Sequence, residues 1–184
     1  MTYTAPVKDT LFVLRELVGF QAVTALPGFE AVDLETAQSI VEECARLCEG
    51  VIAPLNAIGD KQPSTFAEGA VTMTPGFAAA YREYAQGGWQ GLQHPAEYGG
   101  QGLPKTIATA ALEFANSANI SFALCPLLTD GAIEALLTAA SPDLKRRFLP
   151  RMIAGQWTGS MNLTEPQAGS DLGLVRTRAE RQAD

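Results

Sequence analysis

The sequence predicts an all-α bundle of about six helices, resembling an N-terminal helical domain, followed by the first strands of a truncated β domain. Three observations carry that reading. Apolar residues recur at helical spacing through most of positions 1–155. Glycine, proline and helix-capping residues interrupt those runs at short intervals, so the connections are short. From position 156 onward the helical period disappears and two short alternating stretches replace it. The organisation that follows has three parts: an extension at 1–32 with one helix, a helical domain at 33–155, and the incomplete start of a β domain at 156–184.

The first helix is expected from Asp9 to Val18, with Leu11, Leu14, Leu17 and Val18 on one side and Gly19 as its stop. GFQAVTALPGF then reads as a connector with a Pro-Gly turn. Asp33 is a good N-cap for the longest run, to about Ile58, in which Leu34, Ala37, Val41, Cys44, Cys48, Val51, Ile52 and Leu55 share a face. Pro54 should kink or end that helix. Residues 59–75 are turn-rich, with a short AVTM piece that reads as extended. Thr74-Pro75 opens a helix through Tyr84 that Gly87-Gly88 closes. After a glycine-rich loop come Lys105–Asn116, Leu127–Ala139 and Asp143–Ala154, the last capped by Ser141-Pro142 and ended by Gly155. WTGSMNL and LVRTRAE read as two strands joined by a turn, too few to make a stable sheet alone.

Composition removes several function classes. Hydrophobic residues make up 47% of the 184 and charged residues 18%, which excludes a disordered chain. A formal charge of -7 argues against nucleic acid as a partner. No uninterrupted apolar run reaches the roughly 18 residues of a membrane span, and the N-terminus lacks a signal-peptide pattern, so a cytoplasmic location is the expectation. The three cysteines, Cys44, Cys48 and Cys125, read as small apolar core residues. No metal site can be assembled from them. The only histidine, His94, reads as a loop residue with no identifiable cysteine or carboxylate partner, and no G-x-S-x-G elbow is present.

Two segments remain. GWQGLQHPAEYGGQGLP holds five glycines and two prolines between Gly88 and Pro104, which implies tight turns and close backbone approach. MNLTEPQAGSDLG, from Met161 to Gly173, combines turn residues with side-chain oxygens: Thr164 and Ser170 and the amides near Ala168 and Gly169 can offer hydrogen bonds, and Pro166 fixes the turn. Each alone is also compatible with a plain structural loop or hairpin.

Together, in this order, they resemble the acyl-CoA dehydrogenase family. Gly88, Gly91, Pro95, Tyr98, Gly99, Gly100 and Gly102 match a G-x-x-G-x-x-x-P-x-x-Y-G-G-x-G pattern of its N-terminal domain. Thr164, Glu165, Pro166, Ala168, Gly169, Ser170 and Asp171 match its flavin segment, T-E-P-x-A-G-S-D. Lys145, Leu149, Pro150 and Gly155 match the helix between them, K-x-x-x-L-P-x-x-x-x-G. The first thirty or so residues are similar to the extension of the long bacterial branch that includes methylmercaptopropionyl-CoA dehydrogenase-like enzymes.

The resemblance implies FAD as cofactor and oxidation of an acyl-CoA thioester to the trans-2-enoyl-CoA: a carboxylate removes a Cα proton while a hydride leaves Cβ for flavin N5. It implies that Met161, Asn162, Leu163, Thr164, Gly169 and Ser170 line the flavin, and that Ser170, Tyr98, Gly99 and Gly100 lie against substrate. Met161 stands where many members have an aromatic residue. Glu165 is structural by the same resemblance, and no catalytic residue is expected in this chain. The base and the W-[IS]-[ST] segment belong to parts of the family's architecture that follow, so the chain reads as an N-terminal piece, inactive alone. Implied partners are electron-transfer flavoprotein as acceptor and further copies of the full-length chain. An acyl-CoA oxidase, or a noncatalytic helical interaction module of the same fold, remain alternatives.

Overall fold

Asp33 starts the bundle. In the computed structural model, which describes residues 3–182, its side chain accepts from Thr36 N at 2.8 Å and caps α3, Leu34–Leu47. The buried face of α3 is Ala37, Val41, Cys44, Ala45 and Leu47, the stripe the spacing predicts. A π-turn, Cys48–Ile52, follows, with Ala53 N bonded to Cys48 O at 2.8 Å. Pro54 explains it: proline has no N–H for the Gly50 carbonyl, so the chain widens by one residue and restarts as α4, Pro54–Lys61.

Ahead of the bundle, α1 (Val7–Phe12) runs into a π-turn, Val13–Leu17, that ends at Gly19. The stretch read as a connector contains a second helix, α2 (Phe20–Thr24), whose Phe20 is buried. The extension therefore holds two helices rather than one. Its outer limit, and that of the segment at 156–184, lie outside the described residues. After α4 the AVTM piece is extended as expected, but it belongs to a hairpin: β1 (Thr65–Ala67) pairs antiparallel with β2 (Ala70–Thr72), and Phe66 opposes Val71. Glu68 and Gly69 both have positive φ, 52° and 78°, as a two-residue hairpin turn demands.

The remaining helices are α5 (Phe77–Gln86), α6 (Lys105–Ala118), α7 (Ile120–Ala139) and α8 (Pro142–Ile153). Ser141 caps α8 through Leu144 N, and Gly155 ends it at φ 69°. The sequence reading starts α7 at Leu127. It begins seven residues earlier because Asn119 caps it, its Oδ1 accepting from Phe122 N at 3.1 Å, and Pro126 is carried inside the helix. By length and composition α7 is apolar enough to cross a membrane, with a mean hydropathy of 1.6. It carries Asp130 and Glu134 and packs between α6 and α8.

Two clusters form the core. The larger joins α3, the π-turn, α6 and the start of α7 through Val41, Cys48, Ile52, Ile107, Phe114 and Phe122. The smaller joins α7 to α8 through Ile133, Leu149, Met152 and Ile153. Burying one such side chain contributes about 1.5–3 kcal/mol. Among the described residues, only α7 contributes buried side chains to both. Cys44 and Cys48 lie in the larger cluster as expected, Sγ atoms 3.9 Å apart; that contact and burial push the Cys44 thiol up. Cys125 does not: it is exposed on α7.

Beyond α8 the helical domain ends and the chain changes character. No strand ladder forms among the described residues of 157–163 or 174–180; the pairing there is a single bridge, Glu165 to Ala168, and a 3-10 turn occupies Leu172–Leu174. These are the expected first strands without a sheet. Alternation marks a residue's two faces, but a strand also needs a neighbour to take its backbone hydrogen bonds.

Candidate functional site

The segment Met161–Ser170 is built around one turn. Glu165 N donates to Ala168 O and Ala168 N to Glu165 O, each at 3.0 Å, with Pro166 as the first residue between. Ala168 is fully buried beneath it. The Glu165 carboxylate then reaches across to the returning chain. It accepts from Arg176 N at 3.1 Å, from Thr177 N at 2.8 Å, from the Thr177 hydroxyl and from Gln167 Nε2. The Thr177 hydroxyl above all, with the two backbone N–H groups, holds this carboxyl down to about 2. A carboxylate so satisfied by donors is a clasp and a poor proton acceptor.

The clasp leaves its neighbours free. Met161, Asn162, Leu163, Thr164, Gly169 and Ser170 are all exposed. Among the described residues, none of their backbone amides, nor the Thr164 hydroxyl, has a hydrogen-bond partner in the chain. A Cβ placed on Gly169 would meet only Thr164 Cγ2, at 3.9 Å. The lead-in is anchored on α7. Gly159 N donates to Thr129 Oγ1 at 3.1 Å, and a Cβ on Gly159 would fall 2.4 Å from Ala132 Cβ. Trp157 packs on Phe148, with Arg151 stacked over its ring.

The glycine-rich loop is a buckle. Gly100 N donates to Pro95 O, Gln101 N to Gly91 O, Gly102 N to His94 O and Leu103 N to Leu92 O, all at 2.8–3.0 Å. At Gly100 only glycine fits, since a Cβ would stand 2.1 Å from His94 O. Tyr98 ends the 3-10 turn Ala96–Tyr98, and its ring packs on the smaller cluster beside α8. Gly99 is exposed next to it at φ 89°. Among the described residues no hydrogen bond joins Tyr98, Gly99 or Gly100 to the Met161–Ser170 segment; the loop that carries the first, through His94, and the lead-in to the second, through Gly159, both meet the same stretch of α7.

His94 corrects the sequence reading. It is fully buried and faces two carboxylates from α7, which lies far away in sequence. Nε2 stands 2.8 Å from Asp130 Oδ1 and Nδ1 3.8 Å from Glu134 Oε1. Neither approach has hydrogen-bond alignment, so the contact is electrostatic more than directional. Gln93 Nε2 donates to the same Asp130 Oδ1 at 2.7 Å, and Lys105 Nζ lies 3.4 Å from Glu134 Oε1. Burial raises the Asp130 carboxyl, but the imidazole, Gln93 and the Lys105 charge outweigh it and hold it below the ordinary carboxylate range. Thr129, one residue away, holds the lead-in. A single turn of α7 thus fixes both segments.

Beside this network lies a cavity of about 230 Å³ between α3, α6 and α7, walled by Leu47, Ile52, Leu92, Leu112 and Ala115 and edged by Gln90, Gln93 and Asp130. Nothing in the sequence marks it, because its wall is drawn from six separate elements: α3, the π-turn after it, α5, the 3-10 turn Trp89–Gly91, α6 and α7. No group of three or more potential metal ligands occurs among the described residues.

The sequence profile of the acyl-CoA dehydrogenase N-terminal domain matches residues 34–156. The chain belongs to the acyl-CoA dehydrogenase family. It is 47% identical over 184 residues to the 3-methylmercaptopropionyl-CoA dehydrogenase of Ruegeria pomeroyi, a match that covers all of this chain and 31% of that protein. Butyryl-CoA dehydrogenase of Megasphaera elsdenii shares the fold at a TM-score of 0.60 and 19% identity, over 74% of this chain and 34% of that one. An acyl-CoA dehydrogenase of Bacillus anthracis, solved in complex with FAD, does so at 0.63 and 22%, over 78% and 23%. The chain thus spans about a third of the length of the curated Ruegeria pomeroyi relative. The named relatives are oxidoreductases, and the part in hand is the family's helical N-terminal domain with the segment that follows it.

Proposed function

We propose that this chain is the flavin-edge and acyl-pocket portion of an FAD-dependent acyl-CoA dehydrogenase that oxidises an acyl-CoA thioester to its trans-2-enoyl product. The observation that carries the reading is the clasped turn: Glu165 closes the segment on itself, while the donors from Met161 to Thr164 and at Gly169 and Ser170 stay unpaired and exposed. A row of fixed, free backbone N–H groups suits an acceptor-rich ring system. In this reading Met161, Asn162, Leu163, Thr164 and Gly169 hold the flavin, with the Thr164 hydroxyl beside its polar end, and Ser170 contacts flavin or substrate oxygens. FAD, when bound, supplies the hydride acceptor.

The remaining residues orient and exclude water. The acyl group enters the cavity between α3, α6 and α7, whose apolar wall offsets its transfer from water. Tyr98, Gly99 and Gly100 lie against substrate from the side of the smaller cluster, on which the Tyr98 ring packs. Glu165 is not the base, since its oxygens are already engaged by Thr177, Arg176 and Gln167. The Cα proton goes to a carboxylate outside this chain, which is therefore inactive alone. The acceptor is an electron-transfer flavoprotein, the full-length protein is a cytoplasmic homo-oligomer, and an oxidase differs from it only in passing electrons to oxygen.

The test uses the full-length protein. It should carry a flavin absorption band and convert acyl-CoA to enoyl-CoA, and Thr164→Ala should shift the flavin spectrum or weaken retention. A Thr164→Ala protein with unchanged spectrum and flavin content removes the role given to Thr164. The exposed apolar side chains Ile120, Leu124, Met161 and Leu172 favour one other reading, a noncatalytic interaction module. A full-length protein that never holds flavin would decide for it.

A further inference from the structure

Gln90 lies on the 3-10 turn Trp89–Gly91, at the wall of the cavity, and is only 4% exposed. Its Nε2 donates to Pro126 O at 3.3 Å. That bond fixes which way the amide faces, because exchanging its oxygen and nitrogen would set two carbonyl oxygens against each other. Oε1 is then left buried with no hydrogen-bond partner among the described residues. Folded proteins seldom leave a buried amide oxygen without a donor. Two side-chain donors that line the cavity are directed elsewhere: Gln93 to Asp130 and Lys105 to Glu134.

The geometry points to Gln90 as a specificity-determining residue: the cavity takes an acyl chain that carries a hydroxyl group, whose O–H donates to Gln90 Oε1. This rests on the reading that the cavity receives the acyl group of the thioester. A purely apolar chain fills the same space but displaces water and leaves Oε1 unpaired, so a site of this kind discriminates against it. The rest of the wall, Leu47, Ile52, Leu92 and Ala115, accommodates the methylenes of either chain.

The test compares kcat/KM of the full-length, flavin-loaded protein for pairs of acyl-CoA esters of equal length, with and without a terminal hydroxyl, across a homologous series. Dissociation constants for non-oxidisable thioether analogues of the same pairs read the preference without turnover. The hydroxylated member should be favoured roughly tenfold or more for at least one length. Gln90→Met, which keeps the length and drops the acceptor, should bring that ratio near one. Equal values in every wild-type pair, or a preference that survives Gln90→Met, overturns the role. If Gln90→Met does not fold, the wild-type ratios decide alone: a preference supports the role and none overturns it. Failure to oxidise any ester overturns the proposed function instead, whereas oxidation without discrimination overturns only the assignment of Gln90.

Discussion

Two glycine- and proline-bearing segments of this chain look alike on paper and behave in opposite ways. The loop from Gly88 to Pro104 turns inward: its amides bond to its own carbonyls, and its histidine is fully buried. The segment from Met161 to Ser170 turns outward: one carboxylate closes it, and the other donors face open space. The first spends its backbone groups on the fold, while the second keeps them for a ligand. A glycine therefore means different things in the two places. At Gly100 it makes room for the chain itself, and at Gly169 it leaves room for something else.

The sharpest way to break that contrast is Gly100→Ala. The new Cβ meets a backbone oxygen at 2.1 Å, and a backbone atom cannot swing aside as a side-chain tip can. We expect a loss of about 3 kcal/mol or more in chemical denaturation of the full-length protein. A loss below about 1 kcal/mol would show that the loop yields and is no buckle.

His94→Leu comes next. It keeps most of the buried volume but removes the imidazole that faces Asp130 and Glu134, leaving Gln93 and Lys105 to serve them. Asp130 retains some solvent access, which tempers the cost, so about 2 kcal/mol is expected. Amide exchange should rise both in the loop and at Gly159, because Thr129 and Asp130 sit on one turn of α7. Faster exchange confined to the loop would mean that α7 does not couple the segments.

That coupling was invisible in the sequence, and the reason is physical. Helices with an apolar stripe were legible: α3 with its Asp33 cap, and α8 between Ser141 and Gly155. Helix α7 is apolar on nearly every side, so it offers no stripe to read, and the sequence reading begins it only at Leu127, just past Pro126. The partners of His94 lie on that helix, and local pattern cannot report a contact made by folding. The outer segment was legible as chemistry, since its turn residues and oxygens are contiguous. The strands read on either side of it form no ladder among the described residues, because pairing needs a neighbour. Cys125 shows the limit of composition: a small apolar residue in an apolar helix, yet exposed.

A smaller effect is expected from pH at the clasp. Glu165 has its carboxyl lowered from 4.5 to about 2 in the folded chain, so it contributes stability above about 4.5 that is lost as pH falls towards about 2. The carboxylate is solvent-facing, so the effect should be local. Exchange at the Arg176 and Thr177 amides should quicken across that window, and Glu165→Gln should quicken it at neutral pH and flatten the dependence. Slow exchange at these amides in Glu165→Gln would show that another group holds the turn.

The smallest effect on stability, and the one that sharpens the comparison most, belongs to Gly169→Ala. Its backbone is outside the left-handed region, the residue is exposed, and the added Cβ finds one methyl at ordinary contact distance. The fold should therefore keep its stability to within about 0.5 kcal/mol. If the open side of the segment is where flavin lies, the same methyl intrudes on the ligand, and flavin retention should fall while the denaturation midpoint stays put. That separation, stability untouched and cofactor lost, is the reverse of what Gly100→Ala should give in proportion. Unchanged flavin content in Gly169→Ala would mean that nothing needs the space this glycine leaves, and the outward segment would be only a loop.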